Sequence, residues 1–366
     1  MAISELAMSA HVNAGDTAWM LVATAMVLLM TPALGLFYAG LVRSKNTLNT
    51  FMMSIGAIAV ATATWAAIGY SLAFAKGNGF IGGLGHAFMH GVAFAPRAGT
   101  AIPQLLFFAF QATFCIVTVA LVSGAVVERM RFGPFLLFAA LWSVLVYAVL
   151  AHWSFGGGWL QAHGTLDFAG GVPVEMGSGF SALAAALVVG ARKDYGRQAL
   201  LPHNAVYVLL GAGLLWFGWF GFNGGSGFST GHSSVLAFTN TLLTPACTLA
   251  VWFVLDALRG RKVTAIGAAT AIIVGCVAIT PAGASSAPAG RCCSAPWRPS
   301  PATRSSPGGR GRGSTRRSTC SPRTGRRACS GSSSSASSPR PPGTASPTAS
   351  STAMRRSSAT KPSPRS

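Results

Sequence analysis

The chain has 366 residues, of which 51% are hydrophobic and only 9% are charged, yet its formal net charge is +20. Soluble domains usually contain about 25% charged residues, so this composition and a mean hydropathy of +0.49 exclude an ordinary cytosolic globular protein. The positive charge would suggest a nucleic-acid-binding protein, but such proteins are not usually this apolar.

The charges are unevenly distributed along the chain. Residues 1–290 hold 12 basic and all 7 acidic residues, whereas residues 291–366 hold 15 basic residues and no acidic one. This tail consists mainly of Ser, Arg, Pro, Gly, Thr and Ala, so it has almost nothing to bury, and we predict that it is disordered. Its four cysteines lack metal-ligand spacing and no histidine accompanies them, so no zinc site is predicted there.

Eight apolar runs in the first 290 residues are long enough to cross a bilayer as helices, which takes roughly 20 residues. They lie at about 17–42, 49–74, 101–127, 132–154, 168–191, 203–223, 233–255 and 263–283. The first run is too long for a cleaved signal peptide and no basic residue precedes it. The pattern therefore predicts an all-α polytopic membrane protein.

The basic residues of the connecting loops predict the orientation. The loops after the second, fourth and sixth runs hold only Lys76 and Arg97. The loops after the first, third, fifth and seventh runs hold ten: Arg43, Lys45, Arg129, Arg131, Arg192, Lys193, Arg197, Arg259, Arg261 and Lys262. Because basic loops stay in the cytoplasm, we expect the N-terminus outside. The eighth run then ends outside, which places the basic tail there against the same rule.

Two acidic residues lie at or within the fifth run without an adjacent basic partner, Asp167 and Glu175. Asp167 fits a helix N-cap as well as a functional role. If the helix begins near residue 167, Glu175 lies roughly 10–12 Å into it. A charge at that depth costs at least about 2.5–3.5 kcal/mol, which indicates either a solute or proton pathway or a protonated carboxyl bonded to a neighbouring helix.

Aromatic residues near the predicted outer side have two interpretations. Phe110 and Phe114 are four residues apart and share one face of the third run. Phe155 and Phe222 lie towards the outer ends of the fourth and sixth runs. Most such residues belong to an interfacial aromatic belt, but a few could line a vestibule where ring faces attract a small cation. Composition does not decide between these.

Seven short motifs occur in order along the first 283 residues. They are GDTAW at 15–19, FYAGLVRSKN at 37–46, GAVVERMRF at 124–132, LDFAGG at 166–171, PHN at 202–204, WFGWFGFN at 216–223 and TPA at 280–282. Over about residues 15–283 the chain thereby resembles the ammonium transporter family, the group of ammonium transporters, methylammonium permeases and Rh proteins. The match is specific because each motif falls at the matching run or loop with the family's spacing.

The resemblance implies roles for the aromatic and hydroxyl residues. Phe114 matches the phenylalanine of the family's outer ammonium site, Ser226 matches its hydroxyl residue, and Phe155 stands where a tryptophan is commonest. Phe110 and Phe222 match the gate below that site. Asp167 matches an aspartate that supports the site without coordinating the ion.

The resemblance also shows where this chain departs from the family. Glu175 occupies the first of two pore histidine positions, as an acid does in a minority of members, notably among fungi, and the second histidine belongs to a tenth helix. The family has eleven helices in two inverted five-helix repeats, and the resemblance ends after the eighth. We therefore expect a membrane domain at 1–283, with an incomplete inverted repeat, and a separate tail at 284–366.

The tail has two explanations. Its Arg, Ser, Pro, Ala, Gly and Thr composition is typical of a GC-rich coding sequence translated out of frame, which favours a frameshift near residue 284. The alternative is a native basic extension that binds anionic lipid or nucleic acid. We favour the frameshift, and therefore expect no nucleic-acid partner.

The resulting prediction is a multi-pass transporter in the cell (inner) membrane that moves NH4+/NH3 through an apolar pore in each subunit of a homotrimer. Ammonium or methylammonium is the expected solute, a PII-type signal protein is a possible cytoplasmic partner, and no cofactor or metal is expected. A truncated, non-functional relative and an ammonium sensor are the alternatives. A membrane enzyme would have to use Asp167 and Glu175, which are eight residues apart and roughly 12 Å from each other on one helix, too far to act on one bond.

Overall fold

The computed structural model describes residues 11–193 and 195–285, and this part of the chain is helical. It contains no β-strand beyond one isolated bridge between Pro96 and Pro103. The predictions for the basic tail concern residues that lie, apart from 284 and 285, outside those described.

Eight helices in the described residues are long and apolar enough to cross a membrane. They are α1 (Ala14–Leu41), α2 (Ser44–Phe74), α3 (Gln104–Val126), α4 (Phe132–Ala162), α5 (Gly171–Val189), α6 (Ala205–Gly225), α7 (His232–Leu258) and α8 (Ala265–Ala282). The predicted all-α fold with eight spans is confirmed, with boundaries shifted by a few residues at most helix ends.

Three of these helices contain a wider π-type turn. In α2 the turn is Trp65–Gly69, in α4 it is Ser143–Tyr147, and α5 begins with one at Gly171–Met176. The hydroxyls of Thr64 and Ser143 lie 2.8 Å apart where α2 and α4 meet at their turns. Such turns interrupt the regular hydrogen-bond ladder and are frequent at functional sites.

Helix α3 is the centre of the bundle: most of its side chains are buried, whereas α5 and α7 are largely exposed. Helices α1 and α6 approach closely through glycine. A Cβ added to Gly211 would lie 2.5 Å from the backbone nitrogen of Phe37, and one added to Gly40 would lie 2.6 Å from the carbonyl oxygen of Asn204. Small residues allow this close approach, as is typical of helices in membranes.

The start of α5 packs against the end of α8. The Phe168 amide donates a hydrogen bond of 2.9 Å to the Pro281 carbonyl. A Cβ on Gly171 would lie 2.6 Å from the Pro281 Cβ, so only glycine fits there without a shift. Two motifs more than 100 residues apart in the sequence, LDFAGG and TPA, are therefore neighbours in the fold.

An ionic cluster lies at the other end of the bundle, where α3 ends. Glu128 adopts a left-handed backbone with φ of 63° just after α3. Its Oε1 accepts hydrogen bonds from Asn46 Nδ2 at 2.7 Å and from Arg43 Nε at 3.0 Å. Its Oε2 lies 3.4 Å from Arg192 Nη1. One buried carboxylate therefore connects the α1–α2, α3–α4 and α5–α6 loops.

Candidate functional site

A cavity of about 340 Å³ lies among one end of α3, α4 and α6 and the α2–α3 loop, and we call it the wide cavity. Its walls are Arg97, Ala98, Phe107, Gln111, Phe114, Phe155, Gln161, Phe168, Ala169, Ser226 and Phe228. Ala98 is exposed, so the cavity reaches the surface. The walls combine aromatic rings with a few polar groups, which is the usual make-up of a small-molecule site.

A second cavity of about 60 Å³ lies deeper in the bundle, and we call it the narrow cavity. Its walls are Met30, Leu34, Phe37, Tyr38, Val117, Leu121, Val174, Glu175, Leu215, Trp219, Phe222 and Ile273. Nearly all are apolar, and the Tyr38 hydroxyl donates a 3.0 Å hydrogen bond to the Leu121 carbonyl. Glu175 is therefore the ionisable carboxyl group in an otherwise apolar chamber.

A column of three buried rings separates the two cavities. The ring centroids of Phe110 and Phe114 lie 4.8 Å apart, and those of Phe114 and Phe222 lie 4.2 Å apart. Phe114 faces the wide cavity and Phe222 faces the narrow one. Since the rings of Phe114 and Phe222 are in contact, they close the direct path between the two cavities.

Ser226 follows the last turn of α6 and lines the wide cavity. Its hydroxyl donates a 2.8 Å hydrogen bond to the Phe222 carbonyl. Because that bond uses the hydroxyl hydrogen, the oxygen lone pairs remain available to accept a hydrogen bond from a ligand. The site thus offers an acceptor beside the ring faces of Phe114 and Phe155.

Glu175 lies less deep in its helix than the sequence suggested. The prediction placed the helix start near residue 167, but α5 begins at Gly171 because the preceding backbone turns through Gly170, which has a φ of 102°. Glu175 is therefore only about 6 Å along α5. Its Oε1 is buried and has no hydrogen-bond partner among the described residues.

Asp167 lies before α5 and caps it. Its Oδ1 accepts from the backbone N–H groups of Gly170 at 3.0 Å and Gly171 at 2.6 Å, and its Oδ2 accepts from Val172 at 2.8 Å. Burial raises the pKa of Asp167, and these three bonds lower it only in part. Asp167 caps the helix from three residues before the N-cap position, which is Gly170, so the prediction of Asp167 as the N-cap residue itself was wrong. The expectation that Asp167 and Glu175 share one helix was wrong, because α5 starts after Asp167.

The predicted residues divide among three places. Phe114, Phe155 and Ser226 line the wide cavity, while Phe222 and Glu175 line the narrow one. Phe110 lies in the column of rings, and Asp167 lines neither cavity but holds the start of α5 beside Ala169 of the wide cavity.

Sequence reasoning missed several wall residues of the wide cavity. They are Arg97, Phe107, Gln111, Phe168 and Phe228. Gln111 had a usable signal, since it is a polar residue within an apolar run and adjoins Phe110. Arg97 was counted only as a loop charge, because nothing in the sequence shows where the α2–α3 loop folds back.

The fold defines a class, a multi-pass membrane protein. In it a surface cavity and a smaller apolar cavity adjoin the contacting rings of Phe114 and Phe222. Among the described residues, no group of His, Cys, Asp or Glu could hold a metal ion.

Comparison with known proteins identifies the family. The model of the Ammonium Transporter Family matches residues 18–291. An ammonium transporter of Bacillus subtilis is 49% identical over 269 residues, which are 73% of this chain and 66% of that protein. An ammonium transporter of Aquifex aeolicus is 46% identical over 281 residues, 75% of this chain and 65% of that protein. The chain thus spans slightly less than two thirds of the length of these relatives.

A solved structure agrees. The crystal structure of Candida albicans Mep2 matches with a TM-score of 0.74 and 37% identity, covering 78% of this chain and 64% of that one. The chain belongs to the Ammonium Transporter Family.

Proposed function

We propose that this protein moves ammonium across the cell membrane, taking up NH4+ in the wide cavity and passing it as NH3 through the narrow one. The observation that carries the proposal is the column of Phe110, Phe114 and Phe222 between a polar surface cavity and an apolar chamber. Family membership supports the choice of solute.

The walls of the wide cavity suit a small cation that donates hydrogen bonds. The ring faces of Phe114 and Phe155 attract cations, and the Ser226 oxygen accepts a hydrogen bond. A phenylalanine at 155 attracts a cation less strongly than a tryptophan would and has no indole N–H. The wide cavity is therefore the proposed substrate-binding site, and Asp167 supports it by fixing the backbone beside Ala169.

The narrow cavity disfavours an ion but not a neutral molecule. Moving a charge into an apolar interior is costly, whereas NH3 carries no charge. The proton that ammonium loses needs an acceptor, and the unpaired Glu175 Oε1 on the wall of this cavity can serve as one. Glu175 is accordingly the proposed proton relay: its carboxylate takes the proton from NH4+, which continues as NH3, and the resulting carboxyl group then releases the proton to water before the next ion arrives.

The cellular setting follows from the same proposal. The excess of basic residues in alternate loops supports an orientation with the N-terminus outside. The membrane that we propose is the inner membrane of a cell. By family resemblance we propose a homotrimer with one pore in each subunit and a PII-type protein as a cytoplasmic partner. The proposed activity is transport and includes no enzymatic reaction.

Uptake of labelled methylammonium by cells that express the chain tests the proposal. We expect uptake above that of cells with an empty vector, and competition by added ammonium. Uptake equal to the vector control, with the protein present in the membrane, would contradict it.

Replacing Glu175 by glutamine tests the proton relay. Glu175→Gln keeps the size of the side chain but removes the acidic group, so we expect lower uptake or a shifted pH profile. Glu175→Asp, which keeps a carboxyl group, should retain more activity. Unchanged uptake of the glutamine variant from pH 5 to 8 would assign Glu175 a structural role.

A further inference from the structure

One wall residue of the wide cavity has the wrong charge for a cation site. Arg97 lies in the α2–α3 loop, and its Cζ is 3.7 Å from the ring centroid of Phe107 and 5.6 Å from that of Phe74. The same residue lines the cavity together with Phe114 and Phe155. The guanidinium therefore covers an aromatic face at the edge of the proposed ammonium site.

The position of Arg97 is fixed by its backbone. Its N–H donates a 3.0 Å hydrogen bond to the Ile102 carbonyl. Its carbonyl accepts 3.0 Å hydrogen bonds from both the N–H and the hydroxyl of Thr100. These bonds to residues 100 and 102 form a turn at Arg97. They fix the position of its backbone, and therefore the point on the cavity wall from which the side chain extends.

The guanidinium remains charged in this setting. Partial burial lowers the pKa of Arg97, but an arginine is not deprotonated in proteins near neutral pH. Stacking on Phe107 stabilises the charge without neutralising it. A fixed positive charge in a partly enclosed cavity repels a second cation, and the repulsion is stronger there than in open water.

We propose that Arg97 determines the cation affinity of the wide cavity by acting as a tethered cation. It occupies the face of Phe107 and repels the incoming ion, so the cavity binds ammonium more weakly than its aromatic walls alone would allow. This inference rests on the proposed ammonium transport, and it assigns to that site a residue that weakens binding.

The test compares methylammonium uptake kinetics of the wild type, Arg97→Gln and Arg97→Lys, each in low and high salt. Loss of the charge in Arg97→Gln should lower KM about three- to tenfold in low salt, with little change in the maximal rate. The difference should shrink in high salt because ions screen the repulsion. Arg97→Lys keeps the charge but not the planar stack on Phe107, so its KM should fall less than that of Arg97→Gln.

The matched control is Lys76→Gln. Lys76 is the other basic residue of the predicted outer loops, is exposed and does not line the wide cavity. The Lys76→Gln variant loses one positive charge from the same predicted side of the protein. Because this charge lies outside the wide cavity, the KM of the variant should not change. An equal decrease of KM in both variants would overturn the inference, since it would reflect overall surface charge.

A rescue experiment tests the occupied position directly. In Arg97→Ala, millimolar guanidinium chloride should raise the lowered KM back towards the wild-type value by filling the vacated place on Phe107, whereas equal potassium chloride should not. If the two salts change KM equally, stacking of the guanidinium on Phe107 is not the cause of the weak binding in the wild type. If the wild type itself shows no uptake, the proposed function fails; if it does and Arg97→Gln does not lower KM, only this inference fails.

Discussion

At the scale of single residues, Glu128 connects distant parts of the chain through one side chain. The carboxylate is 1% exposed and accepts bonds from Arg43, just before α2, and from Asn46 in its first turn. Although burial opposes ionisation, these hydrogen bonds and the Arg43 charge hold the pKa of Glu128 below its usual value. A non-glycine residue with positive φ is unusual, and here these bonds offset the backbone strain.

The depressed pKa of Glu128 predicts a pH dependence of stability. Because the folded pKa lies below the unfolded one, the stabilisation is present above the usual glutamate pKa near 4.3, and it is lost as the pH falls through the folded value. Glu128→Gln should lower the free energy of unfolding at pH 7 by about 3 kcal/mol and flatten this acid-dependent loss. Unfolding of the detergent-solubilised protein between pH 3 and 7 measures both.

Arg192→Gln is the control for that variant. Arg192 lies at 3.4 Å from the other carboxylate oxygen and is partly exposed, so removing it should cost much less than removing Glu128. Equal losses in the two variants would mean that the ion pair with Arg192, rather than the bonds from Arg43 and Asn46, dominates.

The sequence predicted those site residues whose position follows from helix periodicity alone. Phe110 and Phe114 share a face of α3 by their spacing of four and do form neighbouring rings in the column. Arg97 and Phe228 reach the wide cavity through loops whose path depends on tertiary packing, so no local pattern could place them. The sequence around Glu128 does not reveal its partners, because Arg129 follows it directly whereas the residues that it binds are about 60 to 85 residues away.

At the scale of helices, close contact of α1 and α6 is the main packing feature. Gly211 faces α1, whereas Gly213, two residues on, is exposed and has nothing within 4 Å of an added Cβ. The two glycines lie in the same helix but on different faces. They therefore provide a direct test of whether close packing requires the small residue.

Gly211→Ala should destabilise the protein and Gly213→Ala should not. A Cβ at 211 would lie 2.5 Å from the Phe37 nitrogen. The Cβ is fixed to the backbone of α6 and the nitrogen belongs to the backbone of α1, so the clash is relieved only if the two helices move apart. Overpacking of this kind costs about 1–3 kcal/mol, while alanine at an exposed helix position is favoured over glycine. Thermal unfolding of both variants in the same detergent decides this, and equal midpoints would show that α1 and α6 can separate at little cost.

Helix boundaries are where prediction and structure differ at this scale, and the fifth helix shows the reason. The apolar run predicted a fifth helix from residue 168, and the structure starts it at Gly171. A hydropathy pattern contains no information about two features that set the start of this helix. Asp167 accepts hydrogen bonds from three successive N–H groups, and Gly170 adopts a positive φ. The existence of each helix follows from its apolar length, but its first residue depends on side-chain capping.

At the scale of the whole molecule, the loop charges predict which side each loop faces. Labelling with a membrane-impermeant maleimide tests the side of each loop. The seven cysteines are first changed to serine, and a single cysteine then replaces Lys76 or Arg197. Both positions are exposed in the structure. The cysteine at 76 should be labelled in intact cells and the one at 197 only after permeabilisation, and the reverse pattern would invert the proposed orientation.

For residues beyond 283 we keep the proposal of a changed reading frame, which the gene's nucleotide sequence tests. One of the other two frames past codon 283 should encode apolar helices that include an aspartate and a histidine. If neither does, the basic tail belongs to the protein as a native segment.

The column of three rings also has an electrical consequence. The wide cavity reaches the surface, and the contacts between the rings of Phe114 and Phe222 interrupt any continuous file of water to the narrow cavity. If the chain transports ammonium as proposed, we expect the membrane field to fall mainly across the rings and the apolar chamber beside them. A charge crossing the whole potential gains about 2.3 kcal/mol per 100 mV. In the proposed transport, an ammonium ion in the wide cavity has crossed little of that drop. Voltage should therefore act on the movement of charge past the rings and hardly on ion binding.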